Sequence, residues 1–167
     1  YMPPTLIYML LAHPDVGKYD YSSLQHLVYA SAPMSVDKLV EAVKVFGPVL
    51  TQTYGQAEAC MICTFFSPED HVAALESNNR HRLASCGMGS PLVRLEVMDV
   101  HGKLLPRGQR GEIVVRGSLV MKGYYNNVEA TAEASAFGWD HTGDIGVIDE
   151  DGFVYIFDRK KDMIISG

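Results

Sequence analysis

Tyr54, Gly55 and Glu58 stand within five residues of one another, in the stretch Tyr54-Gly55-Gln56-Ala57-Glu58. An aromatic ring can lie flat against a base. A glycine leaves its backbone open to close approach. A carboxylate is a hard oxygen ligand of the kind that Mg²⁺ takes. Together these types suit a nucleotide and metal site. A second stretch, Gly138-Trp139-Asp140-His141-Thr142-Gly143-Asp144, reads as a turn before a strand. Ionised Asp144 can accept the paired hydroxyls of a ribose, or it can bond its own backbone within the turn. Asp158-Arg159-Lys160-Lys161-Asp162 reads as a charged hairpin end. In Tyr29-Ala30-Ser31-Ala32-Pro33-Met34 small residues stand at a strand end, where a flat ring could slide against the backbone.

The elements that must position these residues can be read in order. Pro3 and Pro4 open a helix. Thr5 to His13 is apolar nearly all round, which predicts a buried helix, stopped before Pro14. His26 to Ser31 reads as a strand. Ser35 is the expected N-cap of a helix with the stripe Val36, Leu39, Val40 and Val43, and Gly47 ends it. Val49 to Thr53 is the next strand. Strand, helix, strand is a βαβ unit with a parallel sheet. It puts Ser31 and Tyr54 at carboxyl ends of strands, where open α/β sheets bind ligands. Ile62 to Phe66 is a further strand and Pro68 to Glu76 a short helix.

From Cys86 glycines and prolines recur between short apolar runs. Val93 to Val97 alternates as a half-buried strand does, Gly111 to Gly117 is a strand, and Asn127 caps a short helix through Ala134. Ile145 to Ile148 and Phe153 to Phe157 pair across the turn Asp149-Glu150-Asp151-Gly152. The expected fold class is α/β plus β: part of a parallel βαβ sheet layer followed by a small distorted antiparallel β-barrel.

The bulk numbers exclude several classes. With 47% hydrophobic and 20% charged residues, the chain of 167 can build a core. A net charge of −6 leaves no basic excess to neutralise phosphates, so no nucleic acid partner is expected. No apolar run reaches the length of a membrane helix, and the start Tyr1-Met2-Pro3-Pro4 lacks the basic region of a signal peptide. Three cysteines make a poor disulfide framework and fit a reducing compartment, so a cytoplasmic location is expected. Cys60 and Cys63 form a C-x-x-C without a second pair, read as packed thiols in preference to a zinc or redox site. With no initiator methionine at position 1, the chain is expected to be an internal piece of a larger protein.

Taken in order, Tyr29 to Met34, Tyr54 to Glu58, Thr142 to Asp144 and Arg159 to Gly167 resemble the adenylate-forming acyl-CoA synthetase superfamily. That superfamily includes acyl-CoA ligases, firefly luciferase and the adenylation domains of peptide synthetases. Arg110-Gly111-Glu112-Ile113, Gly123-Tyr124-Tyr125-Asn126 and Asp151-Gly152-Phe153 fit it too. The resemblance implies that Ser31, Ala32 and Pro33 line an adenine slot, that Tyr54 stacks on the adenine, and that Gly55, Gln56 and Ala57 complete the ATP and AMP contacts. It implies that Glu58 is the catalytic residue that holds Mg²⁺, that Asp144 takes the ribose hydroxyls beside Arg159, and that Lys161 is a hinge. Residues 1–85 then form a partial adenylate-binding subdomain and 86–158 a barrel-like one. Residues 159–167 begin a hinge to a C-terminal domain.

The implied reaction joins a carboxylic acid to ATP and passes the acyl group to coenzyme A. One departure is Ala57, where the family usually has a threonine whose hydroxyl bonds a phosphate; losing such a bond costs about 1–3 kcal/mol. The family's phosphate loop would lie upstream and its catalytic lysine beyond Gly167, so this piece alone is expected to be inactive. Two alternatives stand beside the ligase: a non-catalytic nucleotide-binding homologue, and an adenylation domain that loads a carrier protein. The oligomeric state is not readable.

Overall fold

The computed structural model describes residues 1–159. The chain divides into two compact units, Tyr1–Tyr54 with Phe65–Gly87, and Gly55–Thr64 with the chain from Met88 onward. The segment that carries Glu58 therefore belongs with the second unit, while Tyr54 closes the first part of the first. The strands form two four-stranded sheets.

In the first unit α1 (Pro4–Leu11) is followed by β1 (Leu27–Tyr29), α2 (Val36–Phe46) and β2 (Leu50–Tyr54). β1 and β2 pair in parallel, Leu27 against Leu50 and Tyr29 against Gln52, so the expected βαβ unit is present. Gly47 ends α2 at φ 87°, a left-handed backbone that glycine adopts without strain. Ser35 stands at the N-cap position, but its side chain makes no cap; instead its backbone N–H donates to the Tyr8 phenol at 2.7 Å. β3 (Thr64–Phe66) leads into α3 (Pro68–Glu76). Here a reciprocal cap does form, with Asp70 N–H donating to Ser67 Oγ at 3.0 Å and Ser67 N–H donating to Asp70 Oδ2 at 3.1 Å. The expectation of a buried first helix is corrected. α1 turns Ile7 and Leu11 inward and packs on α2, while Leu6, Leu10 and Met9, the last 65% exposed, face outward. Two turns of helix present one side to α2, and an apolar sequence does not cover the other.

In the second unit a two-residue β4 (Met88–Gly89) precedes β5 (Val93–Met98), β6 (Gly111–Gly117), α4 (Val128–Ala134), β7 (Asp140–Ile148) and β8 (Val154–Arg159). β5 to β8 form an antiparallel sheet in chain order. The turn between β7 and β8 is tied by Phe153 N–H donating to Asp149 Oδ1 at 2.8 Å, with Gly152 at φ 93°. Met98, Val114 and Trp139 pack with Leu104 in its core. The indole of Trp139 is 7% exposed, and its ring lies 5.2 Å from the Arg94 guanidinium carbon and 6.0 Å from that of Arg116. Cations over an indole face are attracted by its quadrupole.

The second correction concerns Thr142-Gly143-Asp144. They are not a turn before a strand, because β7 begins at Asp140 and includes them. The β6–β7 register steps from Val114 against His141 to Glu112 against Ile145. Three β7 residues thus face the single β6 residue Ile113, a bulge, and Gly143 absorbs it at φ 73°. No described helix is long and apolar enough to cross a membrane.

Candidate functional site

The Glu58 loop is built tightly. Gly55 is a glycine because the loop folds back on itself: a Cβ there would sit 2.6 Å from the Met61 backbone nitrogen. Gln56 N–H donates to Ala59 O at 3.1 Å. The loop is then laced to residues 119–121 by Met121 N–H donating to Glu58 O at 2.7 Å and Cys60 N–H donating to Leu119 O at 3.3 Å, which together make an antiparallel bridge between Ala59 and Val120.

Beyond the lacing, the Tyr124 phenol donates to Glu58 Oε1 at 2.6 Å. Tyr124 is itself placed by its N–H, which donates to Thr131 Oγ1 of α4 at 2.9 Å. The bond to Glu58 pushes the Tyr124 phenol up to about 12. Glu58 is half-buried and Ala57 exposed.

Asp140 lies near this loop, only 4% exposed and hydrogen-bonded to the Gln56 side chain. Its Oδ2 is buried without a hydrogen-bond partner. Burial, and then the charge of Glu58, raise its carboxyl from 3.8 to about 6. A raised acid adds stability below its unfolded-state value and loses it as pH climbs through the folded-state value. The ionised form therefore costs on the order of 3 kcal/mol above that window. Asp140→Asn is expected to match the parent chain in urea unfolding near pH 4 and to exceed it by roughly 1–3 kcal/mol at pH 8. A stability difference that stays flat between those two pH values would show that Asp140 does not titrate there.

The Asp144 bulge is the second part of the site. Arg159 Nε donates to Asp144 Oδ1 at 3.0 Å, across the β7–β8 pair that sets these residues opposite each other. Asp144 is buried and Arg159 exposed. Thr142 Oγ1 donates to Ile113 O at 2.7 Å and accepts from Asp144 N–H at 3.1 Å. Glu112 Oε1 accepts from Gly143 N–H at 3.1 Å, and its Oε2 lies 3.0 Å from His141 Nδ1. His141 Nε2 lies 3.0 Å from Ala136 O, so both ring nitrogens have partners.

The remaining candidates belong to the first unit. Ser31, Ala32 and Pro33 are exposed after β1, with Ser31 at φ 75° and its hydroxyl 2.7 Å from the Tyr1 phenol oxygen. Tyr54 ends β2. Tyr29 is turned wholly inward, 1% exposed, with its hydroxyl 2.9 Å from His71 Nε2 and 3.2 Å from Gln52 Oε1. His71 Nδ1 lies 2.6 Å from Ser67 O, a group that only accepts, so Nδ1 carries the proton and Nε2 accepts from Tyr29. Lys161 lies outside the described residues.

Cys60 and Cys63 hold no metal ligand set. Their thiols donate to Ala57 O and Ala59 O, and burial pushes Cys63 up to about 11. Among the described residues no three His, Cys, Asp or Glu side chains are grouped to hold a metal. A half-buried Glu58 still fits Mg²⁺, which takes one or two carboxylates together with substrate phosphates. Nothing local in the sequence marks Tyr124, Glu112 and His71 as partners, although the runs Gly123-Tyr124-Tyr125-Asn126 and Arg110-Gly111-Glu112-Ile113 carry part of the resemblance.

The sequence pattern of AMP-binding enzymes matches residues 1–125. A medium/long-chain-fatty-acid–CoA ligase of Mycobacterium tuberculosis is 42% identical over 164 residues, 98% of this chain and 28% of that protein. Among solved structures, the amide bond synthetase McbA of Marinactinospora thermotolerans superposes with a TM-score of 0.87 at 37% identity, over 95% of this chain and 31% of that one. The O-succinylbenzoate coenzyme A synthetase of Bacillus subtilis, in complex with AMP, does so with a TM-score of 0.82 at 29% identity, over 99% of this chain and 32% of that one. The chain spans less than a third of each of these proteins.

Proposed function

Because this chain belongs to the family of AMP-binding enzymes, we propose that its protein is an ATP-dependent carboxylic acid–CoA ligase. A substrate carboxylate oxygen attacks the α-phosphorus of ATP, the bond to the β-phosphate breaks, and pyrophosphate leaves with its electron pair. The coenzyme A thiol, losing its proton, then attacks the acyl carbon and AMP departs, which leaves the thioester. Glu58 would hold the cation on the phosphates, Asp144 with Arg159 binds the ribose, Tyr54 with Ser31, Ala32 and Pro33 faces the adenine, and Gly55, Gln56 and Ala57 complete the ATP and AMP contacts. Bound Mg²⁺ would supply charge screening on the phosphates. A medium- or long-chain fatty acid or an aryl acid is the substrate class.

The observation that supports this reading best is the setting of the two acids. Glu58 is fixed by backbone lacing and a phenol, and Asp144 by a strand bulge and an arginine. The test is ATP–pyrophosphate exchange by the complete protein with a panel of fatty and aryl acids, followed by chromatography of the CoA thioester. Exchange with at least one acid is expected. Folded protein that binds AMP yet exchanges with no acid would leave the non-catalytic reading, which exposed Ala57 favours. The likeness to an amide bond synthetase favours a second acceptor reading, so exchange followed by acyl transfer to an amine and not to CoA would replace the second half of the proposal.

A further inference from the structure

The bulge at Thr142-Gly143-Asp144 must be held by something. It takes backbone groups out of the ladder between β6 and β7, and a loose bulge could not aim a carboxylate. The Thr142 hydroxyl ties Ile113 O to Asp144 N–H. The Gly143 N–H goes to Glu112 Oε1 at 3.1 Å. Glu112 is buried, stands on β6 at the last paired position before the bulge, and its second oxygen meets His141 Nδ1 at 3.0 Å on the far side of the bulge. One carboxylate thus reaches from His141 before the bulge to Gly143 at its middle, and His141 is anchored in turn on Ala136 O. Asp144 is the next residue along.

We propose that Glu112 is a positioning residue for Asp144: its carboxylate braces the bulge and so sets the angle at which Asp144 meets the ribose hydroxyls. This rests on the ribose reading of Asp144 given above. Glu112 touches no substrate and acts through the backbone of Gly143. The prediction is therefore a loss of hydroxyl recognition and not of general fold.

The experiment measures ATP–pyrophosphate exchange by the complete enzyme with ATP and with 2′-deoxy-ATP, for the parent, Asp144→Ala, Glu112→Ala, Glu112→Asp, Glu112→Gln and the double variant Glu112→Ala/Asp144→Ala. Asp144→Ala is expected to erase most of the preference for ATP. Glu112→Ala is expected to raise KM for ATP about tenfold, the effect of one misplaced hydrogen-bond acceptor, and to shrink the same preference. In the Asp144→Ala background it should cost little more, because a residue acting through another is not additive with it. Glu112→Asp, one methylene shorter, should show the loss in part and serves if Glu112→Ala does not fold. Glu112→Gln, which keeps an oxygen for Gly143 N–H, should restore most of the preference.

A Glu112→Ala or Glu112→Asp enzyme that melts lower but keeps the full preference for ATP would overturn the inference, as would losses that add in the double variant. An Asp144→Ala enzyme with its preference intact would instead overturn the ribose reading itself, and the inference with it.

Discussion

If the complete protein is the proposed ligase, replacing Glu58 with alanine in it is expected to lower adenylate formation by about 10²–10³-fold, the usual loss on removing a fixed charged group from a transferring centre. Two main-chain hydrogen bonds, from residues 58 and 60 to 121 and 119, hold its backbone, and the Tyr124 phenol at 2.6 Å holds its carboxylate. A side chain restrained at both ends can present an oxygen to a cation without first losing rotamer freedom. The loss should come with a shift of the Mg²⁺ midpoint to higher concentration. Glu58→Gln should fall nearly as far, since the amide keeps the shape and loses the charge. Tyr124→Phe should move the midpoint much less, by roughly 10-fold, as partners of metal ligands do. Titration of exchange activity against Mg²⁺, with Mn²⁺ binding measured in parallel, checks all three. An unmoved midpoint in Glu58→Ala would take the cation away from this residue.

The largest effect expected on stability is at Gly87. A Cβ there would fall inside the Phe65 carbonyl group and 2.6 Å from Phe66 N, and the residue sits at φ 89°. Both obstacles are backbone, so no side chain can swing aside. Gly87→Ala is expected to destabilise the first unit by on the order of 4 kcal/mol, combining strain of the left-handed backbone with overpacking. Two controls separate these causes. Gly47 has a similar φ of 87° and open space around it, so Gly47→Ala should cost about 1 kcal/mol. Gly17 has neither obstacle, and Gly17→Ala should stay within about 0.5 kcal/mol. Urea unfolding measures the series, and equal costs at Gly87 and Gly47 would show that the clash with Phe65 is relieved.

Elements signalled by local chemistry were legible from the residues. α2 shows its stripe and its Gly47 stop, α3 its opening proline, and β6 its bounded apolar run. The Asp144 bulge was not, because glycine beside aspartate signals a left-handed residue without saying whether it serves a turn or a bulge inside a strand. The partner strand decides that, and Ile113 is far off in the chain. The same holds for Glu58 and Tyr124, which meet across 66 positions. Helical periodicity likewise showed α1 to be apolar without showing which side a neighbour covers. Of the candidate site, the acids could be nominated from their spacing; the groups that hold them could not.

Trp139, beside its two arginines, is the only tryptophan in the chain. Intrinsic emission excited in the indole band therefore reports on the second unit alone, from a ring five residues before Asp144. Melting of the first unit leaves no indole signal of its own, so an unfolding curve from Trp139 laid over one from far-ultraviolet circular dichroism tells whether the two units melt as one cooperative body or in sequence.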